Sequence, residues 1–165
     1  MIKKILLAVA FAIPMLVSAQ SLKVGVVDTS AIMQGLPDTK AAETKIAERS
    51  KTYEDEFGKL QAEMQRLYDE YNKDGVNAAP AIRERREREL AQMQQKMEEF
   101  HQSASQDLQK LQQDLMAPIV AKIKQAIEAV GQEGGYGMIQ ETQALIYYAA
   151  PVTDITPMVK SKLGI

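Results

Sequence analysis

The sequence predicts an α+β fold, predominantly helical, in which a long antiparallel helical hairpin projects as a coiled-coil arm from a small β-strand body. Three observations carry that reading. Apolar residues recur alternately three and four apart over two long segments, one short break separates those segments, and strand-like stretches are confined to the two ends of the chain. The composition agrees: charged residues make up 25% and aromatics only 5%, with no Trp and three Phe, too few large side chains for a conventional globular core.

Residues 1–19 stand apart from the fold. Lys3 and Lys4 form a short basic leader, residues 5–17 are an apolar run, and Val17-Ser18-Ala19 supplies the small residues of a cleavage site before Gln20. As a helix that run spans only ~20 Å, short of the ~30 Å hydrocarbon core, so it reads as a cleaved export signal rather than an anchor. Cleavage removes two of the 20 basic residues and none of the 22 acidic ones, which leaves 18 against 22 and a net charge of −4. Such a balance gives no reason to expect nucleic-acid binding, which needs clustered cations. Cysteine is absent, so neither a disulfide framework nor a thiolate metal site can form.

At the front, Leu22, Val24 and Val26 alternate with Lys23 and Gly25 in the period of a half-buried strand. Thr29 to Gln34 suits a helical turn, broken at Gly35-Leu36-Pro37, and Asp38 or Thr39 can cap the first long helix. That helix shows the clearest pattern in the chain. Ile46, Tyr53, Leu60 and Leu67 lie seven apart, and Ser50, Phe57, Met64 and Tyr71 repeat the interval four residues on, the seam of a left-handed coiled coil. The positions between are mostly Lys, Glu, Asp, Gln and Arg, a solvated outer face.

Residues 74–80 interrupt the pattern with turn and helix-start residues. A second helix follows from about Pro80 to Val130, its seam opened by Leu90, Met93, Met97 and Phe100 and continued by Leu108, Leu115, Ile119 and Ile123. Two seams joined by a short break make a hairpin with its tip near 74–80. The second helix outlasts the first, so its surplus must pack on whatever lies beyond the two ends of the hairpin. Pro118 lacks an amide hydrogen and marks a hinge where arm meets body.

After Val130 the composition shifts to glycines 131, 134, 135 and 137, which suit a helix end and a turn better than a phosphate loop, since no P-loop Lys-Ser/Thr accompanies them. Two strands are expected, at Met138 to Gln140 and at Ala144 to Tyr148, with Ile139, Leu145 and Tyr147 joining Leu22, Val24 and Val26 in the body. Thr153, Asp154 or Thr156 can cap a last helix through Leu163. Residues 20–37 and 131–165 thus form the body and residues 38–130 the arm. Three short strands and one helix seldom stand alone without a metal or disulfide, so self-association is the remaining device.

No catalytic constellation, metal-ligand spacing or cofactor motif is present, and His101 sits on an exposed helix face. The sequence therefore reads as a non-enzyme that needs no cofactor. Arg83, Arg85, Arg86 and Arg88 near the tip suggest contact with anionic lipid, against the plainer reading of a helix laced by ion pairs; six basic and six acidic residues between Arg66 and Glu89 favour the latter. The methionines at 64, 93 and 97 lie on seams and read as packing. Apolar side chains off the seam, Tyr68, Val76 and Ile82, are the better candidates for holding a partner.

The order of these features resembles the Skp/OmpH-like periplasmic chaperones over essentially the whole chain. The resemblance rests on the export signal, Lys23 to Asp28, the hairpin, Pro118-Ile119, Gly135-Tyr136, paired strands, and Asp154-Ile155-Thr156 before a final helix. It implies a homotrimer whose strands build a central β-body and whose three hairpins enclose a cavity. It also implies ATP-independent capture of unfolded outer-membrane β-barrel proteins, with release toward their assembly machinery; transient contact at the membrane surface rests only on the tip arginines. Well-known members are strongly basic, whereas this chain is net acidic, which moves weight from electrostatic to apolar capture. The competing class is a structural coiled-coil spacer or adaptor of the cell envelope.

Overall fold

The structure, a computed structural model, describes residues 22–75 and 77–165. The expected export signal and the candidate Val76 lie outside the described residues. Two helices dominate: α2, Pro37–Glu70, and α3, Pro80–Gly134, which at 1.5 Å per residue run ~50 Å and ~80 Å. A π-helical turn, Tyr71–Gly75, closes α2 at the tip, and Pro80 opens α3 at a position where its missing amide costs nothing. A short helix α1, Thr29–Gly35, precedes α2, and α4, Thr156–Leu163, ends the fold.

The strands are β1, Val24–Val27, β2, Met138–Glu141, and β3, Thr153–Asp154. They form one sheet in the order β2-β1-β3, with β1 parallel to both neighbours; Val24 stands opposite Met138, and Val26 opposite Asp154. This corrects two expectations. The second C-terminal strand is not at Ala144 to Tyr148, where a 3₁₀ turn, Thr142–Ala144, gives way to irregular chain; it is the two-residue β3. Leu145 and Tyr147 therefore belong to no strand. The period-two reading of β1 also fails, because a central parallel strand is covered on both faces, and Val26 and Val27 are both buried. Leu22 is exposed, Val24 half-buried, and Ile139 packs against the core from β2.

One core holds the body together. Val27 from β1, Ile32 and Leu36 from the α1 region, Ile119, Ile123 and Val130 from α3, and Ile155 and Val159 at α4 are all buried in it. The surplus of α3 is thus covered by α1, the sheet and α4, as the unequal helix lengths require. Helix α3 continues past the expected stop at Val130 and ends at Gly135. Gly135 has φ 64°, and the αL region at a helix C-cap favours glycine. Gly131 stays helical, and a Cβ there would meet the Ile139 side chain at 2.9 Å, so it works as a close-approach site rather than a break. Pro118 sits inside α3 without ending it, its ring exposed and its neighbours Leu115 and Ile119 turned to the core.

Capping differs from expectation in detail. Leu36, not Asp38 or Thr39, precedes α2, and it offers no side-chain cap. Asp28 caps α1: its Oδ1 accepts from the Ala31 amide at 2.8 Å, while the Asp28 amide donates to Thr156 Oγ1 at 2.9 Å. Asp154 Oδ1 accepts from the Thr156 amide at 2.9 Å at the start of α4. The starts of α1 and α4 are thereby stitched together by the same few polar groups.

Candidate functional site

Beyond Ala42 the hairpin leaves the body core, and its helices hold each other only. The two helices meet along a seam. Leu60 and Met93 are buried, and Ile46, Tyr53, Phe57, Met64, Leu67, Tyr71, Leu90, Met97 and Phe100 are half-buried. Phe100 is its aromatic centre, edge-on to Tyr53 with centroids 5.8 Å apart and 77° between planes, and stacked on Phe57 at 6.4 Å and 19°. Both geometries suit the ring quadrupole.

Polar contacts across the hairpin pair residues that advance in opposite directions along the two helices, so one register holds from base to tip. Lys122 reaches Asp38 at 2.7 Å near the body. In mid-arm, Asp107 Oδ2 receives Arg49 Nη1 at 2.7 Å and the Tyr53 hydroxyl at 2.8 Å. Toward the tip, Gln94 donates to the Tyr68 hydroxyl at 3.3 Å, Arg86 pairs with Glu70 at 2.9 Å, and Tyr71 donates to Glu87 at 3.1 Å. The last bond is the chief reason the Tyr71 phenol is held above its ordinary pKa, so it keeps its proton and stays a donor. The Arg49 guanidinium is likewise pushed up, by the neighbouring Tyr53 hydroxyl and by the Asp107 charge. Asp107 had no distinguishing sequence signal, since acidic residues abound on both helices.

The tip arginines are engaged in ion pairs: Arg85 with Glu89 at 3.5 Å, Arg88 with Glu84 at 3.8 Å, and Arg86 with Glu89 at 3.0 Å as well as with Glu70. Arg83 is exposed beside them. The off-seam candidates Tyr68 and Ile82 are 40% and 46% exposed. Among the described residues no group of three or more His, Cys, Asp or Glu could hold a metal ion, and no helix is long and apolar enough to cross a membrane.

Two apolar grooves open between the helices on the side where Gln94 meets Tyr68. One, ≈330 Å³, is bordered by Ser50, Phe57, Phe100, His101, Ser105 and Leu108; the next, ≈400 Å³, by Phe57, Met64, Gln94, Met97 and His101. In the body, the surface that sequence reasoning read as strand is instead the most exposed apolar stretch among the described residues, with Ile146 at 106% and Tyr147 at 82%.

This arrangement defines an arm-and-body protein, a coiled-coil hairpin carried on a small parallel sheet. The family model for OmpH-like outer membrane proteins matches residues 23–163, and the chain belongs to that family. Among curated relatives it is 25% identical over 139 residues to the chaperone protein Skp of Yersinia enterocolitica, which covers 84% of each chain. It is 24% identical over 161 residues to the chaperone protein Skp of Photorhabdus laumondii, covering 96% of this chain and 98% of that one. A crystal structure of a putative outer membrane chaperone (OmpH-like) from Caulobacter crescentus shares the fold, with TM-score 0.72 at 13% identity over 86% of this chain and 83% of the other.

Proposed function

We propose that the protein is an ATP-independent periplasmic holding chaperone, exported by the signal over residues 1–19 and cleaved after Ala19. In this reading it keeps unfolded outer-membrane β-barrel proteins from aggregating before membrane insertion, between the arms of a homotrimer. The carrying observation is the division of labour in the fold: a core confined to the body, and an arm whose helices bury little beyond their mutual seam. A long, narrow arm supplies surface without a fixed complementary shape, which suits many weak contacts summed over an extended client. Its relatives' name, chaperone protein, points the same way.

The trimer is supported by the exposed Ile146, Tyr147 and Tyr148, together with Leu22 and Met138 beside the open edge of β2, apolar surface that a lone protomer would leave wet. Tyr68, Val76 and Ile82 contribute client contacts in this reading, Pro118 serves as the hinge that lets arms spread, and Arg83, Arg85, Arg86 and Arg88 give at most transient membrane contact. The test pairs two measurements. Light scattering of the mature chain at micromolar concentration should give three times the protomer mass. Dilution of two unrelated denatured barrel proteins into sub-stoichiometric and excess trimer should show aggregation suppressed for both. Protection of one partner only, at fixed stoichiometry, would favour an adaptor.

A further inference from the structure

The two flanks of the hairpin seam are built differently. On one flank, α2 presents Arg49, Glu56, Glu63 and Glu70, seven apart, and two of them bridge to α3, Arg49 to Asp107 and Glu70 to Arg86. The gap on that side, ≈260 Å³, is rimmed by the charges of Glu63, Glu89 and Lys96. On the other flank the equivalent α2 series is Ala47, Glu54, Gln61 and Tyr68. Its groove runs past Phe57 and His101 to the Tyr68–Gln94 hydrogen bond, with apolar floor and, among its lining residues, two carboxylates, Glu54 and Glu98, but no Lys or Arg.

A hairpin that had only to hold itself together would gain from bridging charges on both flanks. Here one flank is bridged by ion pairs and its gap is rimmed by charges of both signs, while the other has, among the described residues, no ion pair across it and wider, more apolar grooves. We propose that this open flank is the client-bearing face of each arm, and that its occupant is an extended segment of unfolded polypeptide whose alternate side chains are apolar and whose intervening ones are neutral or basic. Alternation follows from geometry: a strand-like segment turns every second side chain toward one surface. The charge preference follows from the rim, where two carboxylates without a cation attract lysine or arginine and repel acidic residues. Tyr68, exposed at the tip end of the same face, lengthens it. This inference rests on the chaperone reading and adds which side of the arm does the holding.

The absence of cysteine makes the test clean, because a single introduced thiol is the only labelling point. Gln61→Cys and Ser105→Cys place a benzophenone label on the open flank; Glu63→Cys and Lys96→Cys place it on the bridged one. Each labelled protein is mixed with a urea-denatured outer-membrane barrel protein, diluted and illuminated. The expected result is at least fivefold more client cross-linking from the open flank. Competition by two synthetic peptides with the same alternating Val and Leu, one with intervening Lys and one with Glu, should show the Lys peptide displacing client at tenfold lower concentration. Equal labelling from both flanks, or a Glu peptide as effective as the Lys peptide, overturns the inference while the chaperone reading stands, provided the client stays soluble. A client that aggregates regardless overturns both.

Discussion

Removing the Phe100 ring should dissolve the arm without dissolving the body. A fully buried Phe→Ala change costs ~3–5 kcal/mol, and Phe100 is half-buried, so its burial accounts for about 2 kcal/mol. The ring also makes two aromatic pairs, with Tyr53 and with Phe57, each adding ~0.5–1.5 kcal/mol beyond burial. Phe100→Ala should therefore destabilise the arm by ~3–5 kcal/mol, whereas Phe57→Ala, which loses one pair, should cost ~2.5–3.5 kcal/mol. Amide hydrogen exchange separates arm from body. At ~1.4 kcal/mol per tenfold, protection across 46–67 and 90–108 should fall a hundredfold or more in Phe100→Ala, while the amides of Val26 and Val27 in β1 hold theirs. The body has its own core, from Val27 to Val159, that shares no residue with the aromatic cluster. Parallel loss of protection in β1 would refute the separation of the two units, and equal costs for Phe57→Ala and Phe100→Ala would refute the hub role of Phe100.

Three further outcomes are expected. Asp28→Ala removes the α1 cap and should cost about 1 kcal/mol in urea unfolding, with Asp28→Ser recovering most of it. Gly135→Ala forces a Cβ into the αL C-cap of α3 and should cost ~1–2 kcal/mol, read as a lower Tm, whereas an equal Tm would mean the cap relaxes freely. Client affinity measured from 0.05 to 1 M NaCl should change by less than about tenfold, although the Debye length shrinks from well above ~10 Å to ~3 Å; Tyr68→Ser/Ile82→Ser should weaken binding at every salt concentration, and a steep salt loss with no effect of the double substitution would establish electrostatic capture instead.

The arm was legible in the sequence because a heptad seam is local geometry: Ile46 to Tyr71 declare their common face through spacing alone, and the partner helix repeats the signal from Leu90 to Phe100. The sheet was less so. β1 pairs with β2 and β3 in parallel across more than a hundred residues, and nothing near Thr153 says that two residues there will complete the sheet. Its alternation misled because Val26 and Val27 are covered from both sides, a consequence of a central position that only tertiary structure assigns. Leu145 and Tyr147 looked like strand on β-propensity, which reports fitness for a pleated, half-buried surface and says nothing of whether a neighbour is available. The flanks of the arm were visible all along at positions 47–54–61–68 and 49–56–63–70, but a difference in charge between them acquires meaning only once Asp107 and Arg86 are seen to reach across one side.

Because β1 is the middle strand, its first residues wait longest. Val24 finds Met138, and Gly25 finds Thr153, only after nearly the entire chain has been made. Closing a free loop of that length is entropically slow, and long-range parallel pairing is among the slowest steps in folding. The hairpin shortens the problem. Once α2 and α3 zip together along their seam, Leu36 at the start of one is carried toward Ile119 and Ile123 in the other, in the shared core. The distance left to close is then that of a few linking residues. The arm is thus the jig on which the body is assembled, and a tip-proximal lesion such as a proline within Leu60–Leu67 should delay formation of a sheet it never touches.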